Sequence, residues 1–230
     1  MQNKKDLNEL FQPLLFVGCG SLLTICSYIL YQRGFRKYSS PDLIPRFMYG
    51  KYLFGHIVEA CDSDNVRFKH IPLFRILGNK NVEYQNKKLM YKNTMNIRLA
   101  GIDAPEMSHF GKTAQPFSKE AMEFLNKLTK DRYAIIKPLR LDRYSRLVAM
   151  VYVRKGLIIK NVSLDMIRAG YATIYSGIDA EYDGKLNKFK KCEAKASVYY
   201  LTFIQKMFIS LVGRSCYQLT PILTADALHI

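Results

Sequence analysis

The pattern of apolar and polar positions divides the chain into an apolar N-terminal segment and a longer region of short alternating elements. Residues 10–32 contain no charged residue. At about 1.5 Å per residue, an apolar helix over 11–31 would span the roughly 30 Å of a bilayer's hydrocarbon core. A cleavable signal peptide is one alternative, but the apolar run exceeds the usual length of about 7–15 residues and no small-x-small site follows it. A helix buried against the rest of the protein is the second alternative, although the apolar run lacks the polar face that such a helix would turn to solvent. The pattern predicts a tail over 1–10 and a transmembrane anchor over 11–31.

The residues that follow the predicted anchor indicate a linker and then the start of a sheet. Two prolines and a serine pair predict a linker over 32–50. Apolar positions then predict strands over 52–60 and 66–70, joined by the polar turn 61–65. The stretch 71–93 is rich in lysine, asparagine and glycine, and it predicts a long loop with a short element of its own.

The second half of the chain alternates helices with strands. Phe117, Ala121, Phe124, Leu125 and Leu128 form one apolar face at helical spacing. The predicted elements are, in order, a strand over 96–100, a helix over 117–128 preceded by Pro116, strands over 133–139 and 147–153, a helix over 162–169 ending at Gly170, and a basic helix from 183 to about 208.

This order of elements predicts a mixed β/α fold. A small antiparallel sheet with interposed helices suits a five-stranded, partly open barrel of the OB type. We expect this domain to cover residues 51–190, with an atypical C-terminal helix and tail over 191–230. The length of 230 residues agrees with one domain and its extensions.

The charge of the chain narrows the choice of partners. There are 35 basic and 19 acidic residues, which gives a net charge of +16 at neutral pH. A surplus of this size favours polyanions such as nucleic acid or acidic lipid surfaces. It gives no information on catalysis, and no protein partner can be inferred from it.

Cysteine and histidine give no sign of a disulfide framework, a zinc site or a catalytic triad. The five cysteines include no C-x-x-C pair, and their number is odd. The four histidines are scattered without metal-ligand spacing. Each is therefore interpreted as a surface or packing histidine.

The stretch 96–106 combines a strand with an acidic turn. Arg98, Asp103 and Glu106 lie within nine residues. Pro105 prevents regular strand pairing at its own position, so the two carboxylates should lie in a turn at the sheet edge. A guanidinium beside two carboxylates suits a cation and a negatively charged substrate. The alternative is a surface turn with an ordinary ion pair.

Two other loops contain residues that complement this turn. The carboxylates of the turn 62–64 can converge with Asp103 on one cation, and oxygen ligands of this kind suit calcium. The loop between the last two strands offers a second guanidinium, Arg146, with Arg143 and Tyr144 beside it. The sequence thus predicts a site built from three separate segments.

Taken together, four segments resemble the staphylococcal nuclease family. Residues 97–106 resemble its hallmark strand, 142–152 its D-x-Y-G-R-x-L-A-x-V block, 162–174 the helix after it, and 62–65 its D-G-D-T turn. The resemblance covers about residues 51–190. An N-terminal anchor on such a domain resembles a fungal subfamily of membrane-anchored endonucleases assigned to mitochondria.

This resemblance implies a function and a set of residue roles. It implies calcium-dependent hydrolysis of DNA and RNA with little base specificity, by a single-pass mitochondrial membrane protein. The residue Glu106 would act on the attacking water, and the arginines on the phosphate. The implied roles are catalysis by Arg98, Glu106 and Arg146, calcium binding by Asp64 and Asp103 with the Ala104 carbonyl as a further ligand, and phosphate contact by Arg143 and Tyr144.

The sequence also departs from the family pattern. Ser63 and Asn65 replace the glycine and the threonine of the metal turn, Ser145 replaces a glycine, and there is no tryptophan in the C-terminal region. One alternative function is a catalytically inactive nucleic-acid-binding module, although such a module has no need of Glu106. Another is a basic membrane-tethered scaffold that binds acidic lipid through residues 185–195.

Overall fold

A closed β-barrel forms the centre of the molecule. The computed structural model describes residues 2–74, 86–108 and 113–198, with the backbone alone for 2–15. The strands are β1 (Leu53–Ala60), β2 (Asn65–His70), β3 (Met95–Leu99), β4 (Ile102–Asp103), β5 (Arg132–Leu141), β6 (Leu147–Lys155), β7 (Ile158–Asn161) and β8 (Thr173–Ile174). The helices are α1 (Gln2–Gly34), α2 (Lys87–Asn93), α3 (Ser118–Thr129), α4 (Val162–Arg168) and α5 (186–198).

The barrel closes through one parallel pair of strands. The main sheet has the order β3-β2-β1-β5-β6-β7, and β3 also pairs in parallel with β6, with Ile97 opposite Leu147. Strands β1, β2, β3, β5 and β6 therefore form a ring of five, which confirms the predicted OB-type barrel. Strand β7 lies outside the ring, at the free edge of the sheet.

Alternation along β3 decides which of its residues reach the candidate site. Met95, Ile97 and Leu99 are buried in the barrel core, whereas Asn96 and Arg98 are only partly buried. Successive side chains of a strand point to opposite faces, so the apolar set fixes the register and forces Arg98 to the outer face.

Helix α3 packs on the barrel through the predicted apolar face, with one exception. Ala121 and Leu125 are fully buried, and Phe124 and Leu128 pack against the core. Phe117, however, precedes the helix in a left-handed conformation with φ of 64° and is 70% exposed. The predicted start at Phe117 is therefore wrong, because the chain turns sharply just before Ser118.

The segment predicted as a linker over 32–50 packs against the barrel. Tyr38 has no exposed surface, and Ile44 and Met48 are buried in the same core as the strands. The Tyr38 backbone N–H donates to Nδ1 of His70 at 3.1 Å. Part of the predicted linker thus packs against the barrel core. These isolated apolar residues show no periodicity that a sequence pattern could detect.

The predicted anchor over 11–31 falls within α1, and the side chains of 11–15 lie outside the described part. Among the residues that the structure describes, no helix is long and apolar enough to cross a membrane.

Two less regular regions are described only in part. The predicted long loop 71–93 contains α2, in agreement with the expected short element, while residues 75–85 lie outside the description. Helix α5 covers the start of the predicted basic helix, and residues 199–230 lie outside the description.

Candidate active site

Arg98 brings together the two carboxylates that the sequence predicted as metal ligands. Its Nε lies 3.1 Å from Oδ2 of Asp64, and one terminal nitrogen lies 3.6 Å from Oδ1 of Asp103. Asp64 immediately precedes β2, and Asp103 belongs to β4, which pairs with β8. The turn 62–64 and the stretch 96–106 thus meet at one guanidinium.

Asp64 is a buried carboxylate held between charges of both signs. Its pKa is raised to about 6, mainly by burial and in smaller part by the nearby Asp62 and Asp103, against the positive charges of Arg98 and Arg146, which lower it. Because this value lies below 7, the carboxylate is mainly ionised at neutral pH. The parallel pairing of Ile97 with Leu147 brings the loop that carries Arg146 next to β3, and the charge of Arg146 acts on Asp64 from there.

The turn that contains Asp64 is fastened to the acidic turn opposite it. The Ser63 hydroxyl donates to the backbone carbonyl of Pro105, and the backbone N–H of Leu99 donates to the carbonyl of Asp64 at 2.9 Å. The Asn65 side-chain amide donates to Oδ1 of Asp64. The two residues that depart from the family pattern, Ser63 and Asn65, therefore orient the metal turn in this chain.

Asp142 positions Arg146 in the loop between β5 and β6. Its Oδ2 lies 2.6 Å from Nε of Arg146, and its Oδ1 accepts from the backbone N–H groups of Tyr144 and Arg146 at 2.8 and 2.9 Å. Burial raises the pKa of Asp142, but these hydrogen bonds outweigh it and hold the pKa below its usual value. Ser145 adopts φ of 57°, a left-handed conformation that glycine would take at lower cost.

Arg143 and Tyr144 lie on the exposed side of this loop. The Tyr144 ring is exposed and has Cζ of Arg143 and of Arg146 at 5.0 and 5.3 Å from its centroid. Both residues are accessible from solvent, and their contact with a phosphate stays a prediction.

Glu106 is exposed at the end of a braced turn. Its backbone N–H donates to Oε1 of Gln115 at 3.0 Å, and the Gln115 N–H donates back to its carbonyl at the same distance. Residues 109–112, between the two, lie outside the description. In the described part of the chain, the ion pairs of Arg98 and Arg146 are with aspartates rather than with Glu106.

Sequence reasoning missed an aromatic residue that covers Arg98. The Arg98 Cζ lies 5.2 Å from the ring centroid of Tyr175. The Tyr175 hydroxyl donates to Oδ1 of Asp179 at 2.7 Å, and Oδ2 of Asp179 lies 2.6 Å from Arg140. Gly177 leaves room for the ring, since a Cβ there would collide with it. The only sequence signal was that Tyr175 directly follows the matched segment 162–174.

The donor set around Arg98 suits a hard cation but does not enclose one. Within the described ranges, no group of three or more His, Cys, Asp or Glu side chains could hold a metal ion. Asp64 and Asp103 supply carboxylate oxygens, which calcium accepts together with backbone carbonyls and water. The residues present therefore fit calcium as two of several oxygen ligands.

Comparison with known proteins identifies the class to which this barrel and its charged cluster belong. Residues 96–200 match the family model described as Staphylococcal nuclease homologue. The chain is also 36% identical over 203 residues to a protein of Pyricularia oryzae, an alignment that covers 85% of this chain and 79% of that protein. The chain belongs to the staphylococcal nuclease homologue family.

Within that family, the chain is similar to fungal proteins that share one name. The Pyricularia oryzae protein is named probable endonuclease LCL3, as is one of Yarrowia lipolytica that is 34% identical over 84% of this chain and 88% of its own length. The relative from Pyrenophora tritici-repentis is 38% identical over 75% of this chain. The chain spans 57% to 66% of the length of four of the relatives it matches. The predicted resemblance to a fungal endonuclease subfamily is confirmed, while the membrane anchor and the mitochondrial location stay predictions.

Proposed function

We propose that this protein is a calcium-dependent endonuclease that hydrolyses phosphodiester bonds of DNA or RNA with little base specificity. The observation that carries the proposal is the pairing of Arg98 with the buried Asp64, on which the charge of Arg146 also acts, with the exposed Glu106 in the adjoining turn. The names of the fungal relatives support a nuclease. The charge of +16 favours a polyanionic substrate.

The two arginines supply positive charge where the reaction builds negative charge. When water attacks the phosphorus, charge develops on the phosphoryl oxygens as the bond to the 5′-oxygen breaks. A guanidinium stays ionised and donates to two oxygens at once. Arg98 and Arg146 therefore stabilise the transition state, in which this charge has developed, more than they stabilise the bound substrate. Removing one such donor typically lowers a rate by about 10²–10³-fold.

Glu106 is the residue proposed to take the proton of the attacking water. It is exposed to solvent, and its backbone is fixed on both sides by Gln115. A carboxylate held in this way can accept the proton while the new bond to phosphorus forms, a contribution worth about 10²–10⁴-fold. A bound calcium ion would supply Lewis-acid stabilisation of the phosphate. Asp64 and Asp103 would hold that ion.

We also propose that the enzyme is held at a mitochondrial membrane by a single anchor over 11–31. Apolar side chains on several sides of α1, Phe16, Leu22, Leu23 and Ile25 among them, are more than half exposed. Exposed apolar surface all round a helix favours a lipid environment. Resistance of the cellular protein to alkaline extraction from mitochondrial membranes is the expected result, and release into the soluble fraction would exclude the anchor.

The second candidate function is an inactive nuclease-like module that binds nucleic acid. It agrees with the positive charge and with the paired state of both arginines. Cleavage and binding assays on one substrate separate the two functions.

The test uses the full chain, because Tyr38 in the N-terminal region belongs to the barrel core. A labelled single-stranded oligonucleotide is incubated with the protein in calcium or in EDTA, and both binding and internal cleavage are measured. The proposal predicts cleavage in calcium and none in EDTA. Binding without cleavage in both conditions would establish the inactive module, and equal cleavage in both would exclude calcium dependence.

A further inference from the structure

The tip of the hairpin between β6 and β7 exposes three consecutive aliphatic side chains. Leu157 is 92% exposed, Ile158 63% and Ile159 59%. The turn consists of Gly156 and Leu157, with φ of 63° at Gly156, as a two-residue hairpin turn with glycine at its first position requires. Leu157 therefore lies at the apex of a tightly turned hairpin.

Both faces of this hairpin tip are open. Successive residues of a strand point to opposite faces, yet Ile158 and Ile159 are both exposed. Strand β7 lies at the free edge of the sheet, outside the closed ring. The tip thus projects beyond the barrel, and neither face is covered by the strands and helices that the structure describes.

Positive charges surround the aliphatic tip. Arg154 is the cross-strand partner of Ile159, Lys155 is the partner of Ile158, and Lys160 follows directly. The Arg154 Nε donates to the Gly156 carbonyl at 2.7 Å, which fixes the guanidinium beside the turn. From residue 143 to 164 the sequence contains five basic residues and no acidic residue. The hairpin is thus apolar at its apex, and the charged residues of its two strands beside the apex are all basic.

We propose that this hairpin tip inserts into the interfacial region of an anionic lipid bilayer. Aliphatic side chains enter the boundary of the acyl chains, while lysine and arginine at their base contact acidic headgroups. A nucleic acid backbone would attract the cations but offers no apolar surface to bury three aliphatic side chains. A second copy of the chain would oppose one cationic tip to another. The proposal is independent of the nuclease activity and of α1.

The absence of tryptophan from the sequence allows a test that reports on the tip alone. Leu157→Trp places a single fluorophore at the apex, in the full-length chain. Ile178→Trp is the matched control, because Ile178 is also fully exposed but adjoins Asp179. Each protein is mixed with phosphatidylcholine vesicles with and without phosphatidylserine, some made with brominated lipid. Circular dichroism of the free proteins verifies that each variant is folded.

The expected result is a shift of Leu157→Trp emission to shorter wavelength, with quenching by brominated lipid, in the vesicles that contain phosphatidylserine. Ile178→Trp should change in neither respect. Adding Lys155→Gln and Lys160→Gln to Leu157→Trp should weaken the response roughly fivefold for each cation. If α1 alone attaches the chain to vesicles, the apex fluorophore stays in water and the proposal fails.

Three other outcomes would overturn the proposal. An emission shift before any vesicles are added would mean that another part of the chain covers the tip. A shift that follows protein concentration without lipid would mean that a second copy covers it. An equal response to neutral and acidic vesicles would remove the role of the cations.

Discussion

The two ends of β2 carry buried ionisable groups whose pKa values are shifted by burial in opposite directions. Asp64, just before the strand, has its pKa raised to about 6, and His70, the last residue of the strand, has its pKa lowered to about 4. At Asp64 the positive charges of Arg98 and Arg146 oppose the effect of burial. At His70 the charge of Lys37 adds to it.

Asp64 therefore belongs to a site that keeps its charges when buried, whereas His70 belongs to a packing contact that is neutral. At neutral pH Asp64 stays mainly ionised, so the candidate site keeps a buried anion and two cations at a cost in folding free energy. His70 is neutral and uses Nδ1 to accept a hydrogen bond from the backbone of Tyr38. Changes at the first end should therefore alter catalysis, and changes at the second should alter stability.

The largest effect is expected from the arginines of the site. Arg98→Lys or Arg146→Lys replaces a planar fork with a single ammonium, and each should lower the cleavage rate by about 10²–10³-fold. Arg132→Lys, an exposed arginine of β5, is the control and should leave the rate unchanged. A loss below threefold at both site positions would contradict the roles assigned to them.

The next effect concerns the residue that positions Arg146. Asp142→Asn keeps the shape of the side chain but removes the charge that holds Nε, so we expect a rate about tenfold lower. The Asp165–Arg168 pair on α4 has the same 2.6 Å separation but lies outside the candidate site. Asp165→Asn should therefore leave the rate unchanged. Equal rates for the two variants would show that Asp142 has no part in positioning the guanidinium.

Tyr175 should have a smaller effect. Tyr175→Leu removes the ring that covers Arg98, and the loss of one cation–π contact corresponds to a rate roughly two- to fivefold lower. The control is Tyr91→Leu. The Cζ atom of Arg67 lies 4.3 Å from the centroid of the Tyr91 ring, and neither residue is among the site residues. If Tyr91→Leu lowers the rate as much, the Tyr175 effect is one of general stability.

The smallest effect on the cleavage rate is expected at His70, the last residue of β2, where we instead expect a clear effect on stability. The pKa of His70 is lower in the folded protein than in the unfolded chain, so the unfolded state binds the proton first as the pH falls. Stability from this group is present above pH 6.5 and is lost towards pH 4, by about 2 kcal/mol between pH 7 and 5.

Urea unfolding of the parent protein and of His70→Asn at these two pH values measures this loss. The variant should show a smaller loss, with the remainder due in part to His56, whose pKa burial also lowers. Its cleavage rate at pH 7 should equal that of the parent. The raised pKa of Asp64 acts in the opposite sense over this range and contributes equally to both proteins, so the difference between parent and variant isolates His70. The same change in stability in the parent and in His70→Asn would show that His70 is not buried in its neutral form.

The barrel could be predicted because its strands are short apolar segments separated by turn residues, and because β3 alternates strictly. Ile97 and Leu99 fix the register of β3, and the same alternation places Arg98 on the outer face. Local sequence also located the turns that contain Asp64, Glu106 and Arg146. These features depend on neighbours in sequence, so periodicity and turn residues are sufficient to detect them.

The contacts that complete the site join residues that are far apart in the sequence, so no local periodicity or turn signal indicates them. Asp179 lies far from Arg140 in sequence, and Ser63 contacts Pro105 across a gap of 42 residues. The packing of Tyr38 against His70 was missed because a single aromatic among polar residues has no period. Only the folded barrel brings these residues together.

Glu106→Gln tests the central claim most directly, because glutamine keeps the size of the side chain and removes its charge and its ability to accept a proton. Cleavage of a single-stranded oligonucleotide in calcium is measured for the full-length parent, for this variant, and for Glu123→Gln, an exposed glutamate of α3. The account predicts a rate about 10²–10⁴-fold lower for Glu106→Gln alone. A Glu106→Gln rate equal to that of the parent would contradict it.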